Sequence, residues 1–552
     1  MTNYQFTGGT ICAPATLPGT GAISIIRVSG KESLAIADKV IDTKGVPIAE
    51  TEGYRLRYGT VFEADGSVLD NVIVSVFRAP HSYTGEDSVE VSCHASRFIV
   101  NKILELLVNA GARIAAPGEF TRRAFVNGKM DLAQAEAVAD VIASQSAASH
   151  RVAMNQLKGG FSSELKVLRE KLLTTTSLLE LELDFSEEDV EFASRKELGQ
   201  LVDDSLTHIS RLTASFSRGN AIKNGVPVAI VGATNTGKST LLNALLGEER
   251  AIVSDIAGTT RDTIEETLNI DGILFRFIDT AGIRETDETI EKIGIDRTFK
   301  KLGEAAVVLG VTDLSRGEAA VLEDADFILS KVNEMGGVKN VGTENDGSET
   351  GGAPLAGTDG ASLAETGGTS RSETGGASRH GHGDGQKRKV VILVNKCDVA
   401  GDFYRDDNGT GYSSGNDLGE NVAKICDNKN VNHDNNIISL IENKYDNCKV
   451  IPISAKTGKG LSTLTKTLGE IGSEITGSTD ETLVTNVRHY EALVRAASAL
   501  ERVRAGLHIA TLPPDLIAQD LREALYHLGE IVGEITTDET LGNIFRNFCV
   551  GK

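Results

Sequence analysis

One stretch constrains the fold of this chain more than any other. Gly232-Ala233-Thr234-Asn235-Thr236-Gly237-Lys238-Ser239 follows the apolar run Val228–Val231 and opens a helical pattern through Leu241 and Leu245. Strand, glycine loop and helix in that order make the phosphate loop GxxxxGK[ST]. Glycines let backbone N–H groups curl around phosphate oxygens, and the helix N-terminus adds positive potential. Lys238 would reach the outer phosphates and the Ser239 hydroxyl would ligate Mg²⁺, with Asn235, Thr236, Gly237 and Thr240 in the same turn. A strand-loop-helix of this kind belongs to an α/β domain with a parallel sheet.

The other parts of a nucleotide site follow in order. Asp279-Thr280-Ala281-Gly282 ends the run Phe275–Ile278, where an Asp can hold the Mg²⁺ shell and a Gly amide can sense the γ-phosphate. Asn395-Lys396-Cys397-Asp398 ends the run Val390–Val394. A carboxylate at Asp398 accepts both the N1 and N2 protons of guanine, a pair that adenine lacks. Ser454-Ala455-Lys456 closes the base pocket after Val450–Ile453. Four motifs in order, each at a strand end, specify GTP. Between the first two lies a switch segment with Ser254, Asp255, Ile256, Ala257, Gly258, Thr259 and Thr260, of which Thr260 is the expected second Mg²⁺ ligand. Ile283 stands where Ras-like enzymes carry the water-orienting glutamine, so catalysis must use another group. The acidic run Glu285, Asp287, Glu288 and Glu291 offers candidates, against a plain solvated loop.

The flanks differ in period. Residues 1 to about 120 alternate β-rich runs (Ala22–Val28, Val72–Phe77) with one helical stretch, Phe98–Val108. From Asp131, an expected N-cap, Leu132, Ala135, Val138 and Ile142 recur at helical spacing, and Leu165 to Leu183 mark a long amphipathic helix. After Glu481 two more helices follow, through Leu493–Leu507 and Leu521–Val532, parted by Pro513-Pro514. The simplest architecture nests the α/β domain inside a discontinuous helical domain. The expected boundaries are 1–124, 125–222, 223–475 and 476–552. Two stretches interrupt the third domain. Residues 336–386 repeat Glu-Thr-Gly-Gly, and 401–447 are rich in Asn, Asp and Gly, with a short helix expected near Val422–Ile425. Neither can bury enough apolar surface to offset chain entropy, so both are expected to be disordered loop insertions.

Composition sets the class. With 552 residues, three to four domains are expected, and 40% hydrophobic residues suffice for real cores. A formal net charge of −22 excludes a chain coated in nucleic-acid-binding surface, although a local basic pocket or a partner can still present a nucleic acid. No run is long enough to span a membrane, and Met1-Thr2-Asn3-Tyr4 opens no signal peptide. Six cysteines without CxxC spacing are expected as free thiols in a reducing cytoplasm.

Asn235 in the phosphate loop, Gly258-Thr259-Thr260-Arg261-Asp262 and the C-terminal Phe548-Cys549-Val550-Gly551-Lys552 together resemble the MnmE (TrmE) family of tRNA modification GTPases. Arg27-Val28-Ser29-Gly30, Tyr83-Thr84-Gly85-Glu86-Asp87, Pro117-Gly118-Glu119-Phe120 and Asp131-Leu132-Ala133-Gln134-Ala135-Glu136 are similar to that family too. The resemblance implies an N-terminal α/β folate-binding domain, a discontinuous helical domain and an inserted Ras-like GTPase domain. It implies K⁺-stimulated hydrolysis, with K⁺ held by Asn235, Ser254, Ile256 (through its carbonyl) and Thr259, and with Glu291 orienting the attacking water. Arg27, Glu90, Lys129 and Lys552 match folate-binding residues, for 5-formyl- or 5,10-methylenetetrahydrofolate. Cys549 is either a packed apolar side chain or a reactive thiol. The implied partners are a second copy of the chain, tRNA, and the FAD- and NADH-dependent MnmG in a heterotetramer, with no membrane.

Two departures from the family pattern stand out. The phosphate loop lacks the usual Pro before Asn235 and Ala after it, and Ala95-Ser96 follow His94 where two glycines are usual. An Era-type ribosome-assembly switch is the alternative of another class, although no KH-type GxxG in a basic context supports it. A folate enzyme with a vestigial GTPase domain is the weaker one, opposed by intact Lys238, Ser239, Asp279 and Asp398.

Overall fold

The computed structural model describes residues 8–184, 195–249, 266–278, 305–334, 388–398, 437–445, 448–477, 481–509, 513–546, 548 and 551. They form two compact units, residues 1–223 with 478–552, and residues 224–477.

The first unit opens with a seven-stranded sheet in the order β3-β4-β5-β6-β2-β1-β7. Its strands are β1 (Ile11–Pro14), β2 (Ile23–Ser29), β3 (Ile41–Asp42), β4 (Arg55–Phe62), β5 (Val68–Phe77), β6 (Ser88–His94) and β7 (Arg113–Ile114). All neighbours are antiparallel except β1 and β7. Alternation places Val89, Val91 and Cys93 in the core with Ile26 and Val28, beneath helices α1 (Ser33–Val40) and α2 (Arg97–Asn109). The opposite face carries Glu90, directly opposite Arg27 across the β2–β6 ladder.

Helix α3 (Glu119–Val126) leads into α4 (Leu132–Ala143). Asp131 caps α4 in a reciprocal box: its carboxylate accepts from the Gln134 N–H at 2.8 Å, and Gln134 accepts from the Asp131 N–H at 3.0 Å. Helices α5 (Ala147–Leu157), α6 (Gly160–Asp184), α7 (Arg195–Ala214) and α8 (Phe216–Asn224) complete the segment before the α/β unit. Leu165, Leu172, Val202 and Ile209 from this side share one core with Leu493, Leu500, Leu521 and Leu528, which arrive more than 200 residues later.

The second unit is a six-stranded sheet ordered β13-β12-β11-β8-β10-β9. Its strands are β8 (Val226–Val231), β9 (Glu266–Ile270), β10 (Ile273–Ile278), β11 (Val307–Asp313), β12 (Lys389–Asn395) and β13 (Cys448–Pro452). All pairs are parallel except the β9–β10 hairpin, whose Asp271-Gly272 turn takes positive φ at both residues. Helices α9 (Lys238–Glu249), α10 (Glu318–Glu334) and α11 (Ile437–Lys444) lie among the strands in sequence, and α12 (Leu461–Thr476) follows the last of them. Beyond the unit, α13 (Val487–Leu507), α14 (Pro514–Val532) and α15 (Asp538–Arg546) return to the helical core and the C-terminus.

One expectation is corrected here. The Asn-rich stretch 401–447 is not wholly without structure, because α11 lies inside it and buries Ile441, with Tyr445 just after it, in the core against β13. Ile438 and Ile441, three residues apart, give this short helix an apolar side that packs on the core. The stretch 336–386 and the helix expected near Val422–Ile425 lie outside the described residues.

Candidate functional site

The phosphate loop leaves the carboxyl end of β8, a central strand buried along its whole length. Ligand sites of open α/β sheets occupy this edge. Two glycines are needed for close approach. Gly232, at φ +156°, would place a Cβ 2.2 Å from the Val311 carbonyl oxygen. Gly237, at φ +95°, would place one 2.4 Å from the Asn395 amide nitrogen. Asn235 adopts φ +62° and is exposed at the tip. Thr236 is buried and donates to the Ala233 carbonyl at 2.9 Å. The Lys238 ammonium donates to the carbonyls of Gly232 (3.0 Å) and Ala233 (2.7 Å). Burial pulls its pKa down, so this is a desolvated cation at a helix N-terminus, suited to an anion. Ser239, on the first turn of α9, and exposed Thr240 follow.

Asn395 ties three motifs together. Its amide donates to the Thr236 carbonyl at 2.7 Å and its oxygen accepts from the Ala455 N–H at 3.0 Å. The phosphate loop, the Asn395–Asp398 turn and the Ser454–Lys456 turn thus converge at adjacent strand ends. Ser454 is buried and accepts from the Thr457 N–H at 3.2 Å; Lys456 is exposed and Asp398 half-buried. Such a frame can hold a base and two phosphates in fixed relation. Asp313 carries no motif signal, yet it joins the group through Lys396 at 2.7 Å. The one cue in the sequence is a carboxylate at the end of the largely apolar run Val307–Val311 and Thr312. Of the remaining expected residues, Ser254, Asp255, Ile256, Ala257, Gly258, Thr259, Thr260, Asp279, Thr280, Ala281, Gly282 and Glu291 lie outside the described residues.

A second cluster sits in the other unit. The Arg27 guanidinium donates to Glu90 through Nε (3.0 Å) and Nη2 (2.8 Å), and through Nη1 to the Gly551 carbonyl (3.4 Å). The rings of Tyr83 and Phe120 lie 5.1 and 5.6 Å from it. Tyr83, in the loop before β6, and the fully buried Phe120, in α3, were not among the residues expected to bind; only the fold brings them to Arg27. Gly551, at φ +94°, sits so close to β1 that a Cβ would meet the Pro14 carbonyl oxygen at 2.0 Å. The loop before β6 is fixed by buried charge. Arg123, 3% exposed, donates to Glu86 at 2.9 Å and to Glu119 at 3.1 Å, and Ser29 contacts Thr84 at 2.6 Å. Lys129 donates to the Pro80 carbonyl at 2.9 Å, at the other end of that loop. Lys552 and Cys549 lie outside the described residues. Ala95 and Ser96 join β6 to α2, where the Ala95 N–H donates to the Ala22 carbonyl at 3.4 Å and the Ser96 N–H to the His94 carbonyl at 2.8 Å. Among the described residues no cluster of His, Cys, Asp and Glu forms a metal site, and no helix is long and apolar enough to cross a membrane.

Residues 132–549 match the family model of the MnmE helical domain, and residues 10–129 match that of the GTP-binding protein TrmE N-terminus. The chain is 45% identical to the tRNA modification GTPase MnmE of Parabacteroides distasonis over 546 residues, covering 98% of this chain and 100% of that one. It is 44% identical to the proteins of the same name from Bacteroides thetaiotaomicron and Flavobacterium johnsoniae, in each case over 98% of this chain and 99% of the relative.

Proposed function

This chain belongs to the MnmE family of tRNA modification GTPases, and from that premise we propose how its two clusters divide the work. The α/β unit is a K⁺-stimulated GTPase. With an FAD- and NADH-dependent partner of the MnmG kind, the protein adds an aminomethyl or carboxymethylaminomethyl group to C5 of the wobble uridine of certain tRNAs. The added carbon comes from 5-formyl- or 5,10-methylenetetrahydrofolate held in the N-terminal domain.

In the α/β unit Asp398 selects guanine, and Asn395 keeps the phosphate loop in register with the base pocket. Lys238 exchanges its two loop carbonyls for phosphate oxygens. Ser239 and Thr260 hold Mg²⁺; Asn235, Ser254, the Ile256 carbonyl and Thr259 hold K⁺. Both cations would offset charge that develops at the β–γ bridge. Glu291 orients the water. Two copies of the chain pair their GTPase domains, so that hydrolysis opens and closes the pair and gates the modification.

The observation that carries the folate reading is the meeting of Arg27, Glu90 and Gly551, residues up to 524 positions apart. A Glu that accepts from a pterin's amino and ring N–H groups, held by an Arg whose guanidinium lies 5.1 Å from the Tyr83 ring, suits a flat heterocycle. Lys129 and Lys552 suit its glutamyl carboxylates. Calorimetric titration with 5-formyltetrahydrofolate and mass spectrometry of tRNA nucleosides test the whole reading. Saturable binding is expected, and a C5-modified wobble uridine restored by the intact protein but not by Lys238→Ala. No binding together with an unchanged nucleoside profile would refute it.

A further inference from the structure

The last residue of β11 is a carboxylate that none of the nucleotide motifs calls for. Asp313 is 6% exposed at the side chain, and its two oxygens have separate partners. Oδ1 accepts from the Ser315 N–H at 3.0 Å and from the Ser315 hydroxyl at 2.6 Å, capping the 3₁₀ turn Leu314–Arg316. Oδ2 accepts from the Lys396 ammonium at 2.7 Å. Asp313 and Asn395 are register partners on parallel strands, so the pair bridges two neighbouring strand ends.

Lys396 is positioned with unusual constraint. Its backbone takes φ +64°, and the preceding residue is tied to both the phosphate loop and the Ser454–Lys456 turn. Two residues later comes Asp398, which reads the base. Lys396 therefore leaves the chain between the residue that braces the phosphate loop and the guanine-selecting carboxylate. A free lysine there would have to be ordered at each binding event, because its side chain carries among the largest rotamer entropies of any residue. An ammonium held by a buried carboxylate is ordered in advance.

We propose that Asp313 is a positioning residue for the guanine nucleotide, holding the Lys396 stem in place as a wall of the base pocket before the nucleotide arrives. The inference rests on reading Lys396 and Asp398 as the base pocket. Both Asp313 oxygens are already taken up by Ser315 and Lys396, so its effect belongs to binding and not to the chemical step.

The test uses the full chain and N-methylanthraniloyl-GDP. Asp313→Asn keeps an acceptor for Ser315 but turns an amide N–H₂ towards the Lys396 ammonium, so the cap survives and the tether does not. Affinity for the probe should fall about tenfold, equivalent to ~1.4 kcal/mol, with KM for GTP raised in step and kcat within about twofold of the parent. Lys396→Met should fall by a similar factor, and the double variant should be no weaker than Lys396→Met alone. Ser315→Ala, which touches only the cap, should bind as the parent does. Unchanged affinity in Asp313→Asn, additive losses in the double variant, or an equal loss in Ser315→Ala would each overturn the proposal. If the parent chain binds the adenine analogue of the probe as well as the guanine one, the base-pocket reading itself fails, an outcome distinct from these.

Discussion

Arg488→Ala should cost the unit formed by residues 1–223 and 478–552 about 3 kcal/mol. Arg488 and His489 begin α13 and close on Glu136 of α4, 352 residues earlier. The guanidinium meets the carboxylate through Nε at 2.9 Å and Nη2 at 3.0 Å, and donates to the carbonyls of Glu530 (2.7 Å) and Ile531 (3.0 Å) near the end of α14. Burial alone would raise the Glu136 carboxyl, but His489 and Arg488 outweigh it and hold it at about 2. Burial in turn pulls the His489 imidazole below its usual value against the attraction of Glu136. A carboxyl lowered from 4.5 to about 2 corresponds to about 3 kcal/mol for His489 and Arg488 together, and Arg488 also carries the two carbonyls of α14. Removing one member of a buried pair gives a similar figure, ~3–5 kcal/mol. The sign is that of a depressed acid: the contribution is complete above pH 4.5 and disappears as pH falls towards 2. Urea unfolding followed by circular dichroism measures it, provided the two units are separated. Excess GDP stabilises only the nucleotide-binding unit, so the transition that GDP leaves in place reports the other. That transition should drop by about 3 kcal/mol in Arg488→Ala at pH 7 and by much less near pH 3, and Glu136→Gln with Arg488→Met should recover most of the loss. A drop under about 1 kcal/mol at pH 7, or a double variant no better than the single, would refute the reasoning.

Three further substitutions separate the parts. Asn395→Ala removes the buried bonds to Thr236 and Ala455 and should weaken GDP binding by about 10- to 100-fold in calorimetry. Gly219→Ala drives a Cβ to 2.2 Å from the Val484 carbonyl oxygen and should lower the GDP-insensitive transition by ~1–3 kcal/mol. Gly551→Ala forces both a left-handed backbone and a clash with Pro14, so 5-formyltetrahydrofolate affinity should fall at least about tenfold while GTP hydrolysis is retained.

What could be read in the sequence follows the range of each interaction. The phosphate loop is legible because phosphate chemistry dictates eight consecutive residues, and the Asp131–Gln134 cap because both partners lie within one turn. Long apolar helices announce themselves by period, as α6 and α13 do. The interactions that shape the sites do not. Arg27 with Gly551, Glu136 with Arg488 and Asp313 with Lys396 join residues 524, 352 and 83 positions apart, and no local pattern records them. Arg27 and Lys129 alone are ordinary surface cations; only the family resemblance singled them out. Helix α11 went unread because its apolar residues sit in a stretch dominated by Asn and Asp, where composition outweighs a period of two turns.

The insertion of one unit into another has its own physical logic. A domain placed in a loop adds little closure entropy when its two ends are already held together, because that entropy grows only with the logarithm of loop length. Here the ends are held by the helical unit. Where the chain re-enters at 481–487, Val484 donates its N–H to the Ser215 hydroxyl at 3.1 Å, and Gln156 donates to the Leu483 carbonyl and the Thr485 hydroxyl, both at 3.1 Å. Arg218 pairs with Glu481 at 2.7 Å, and Lys223, at the point of exit, pairs with Asp140 at 2.8 Å. Gly219 lets α8 lie directly against the Val484 carbonyl, which no side chain would permit. These contacts belong to the helical unit alone, so it keeps its core and its clamp whatever the length of chain between residues 224 and 477.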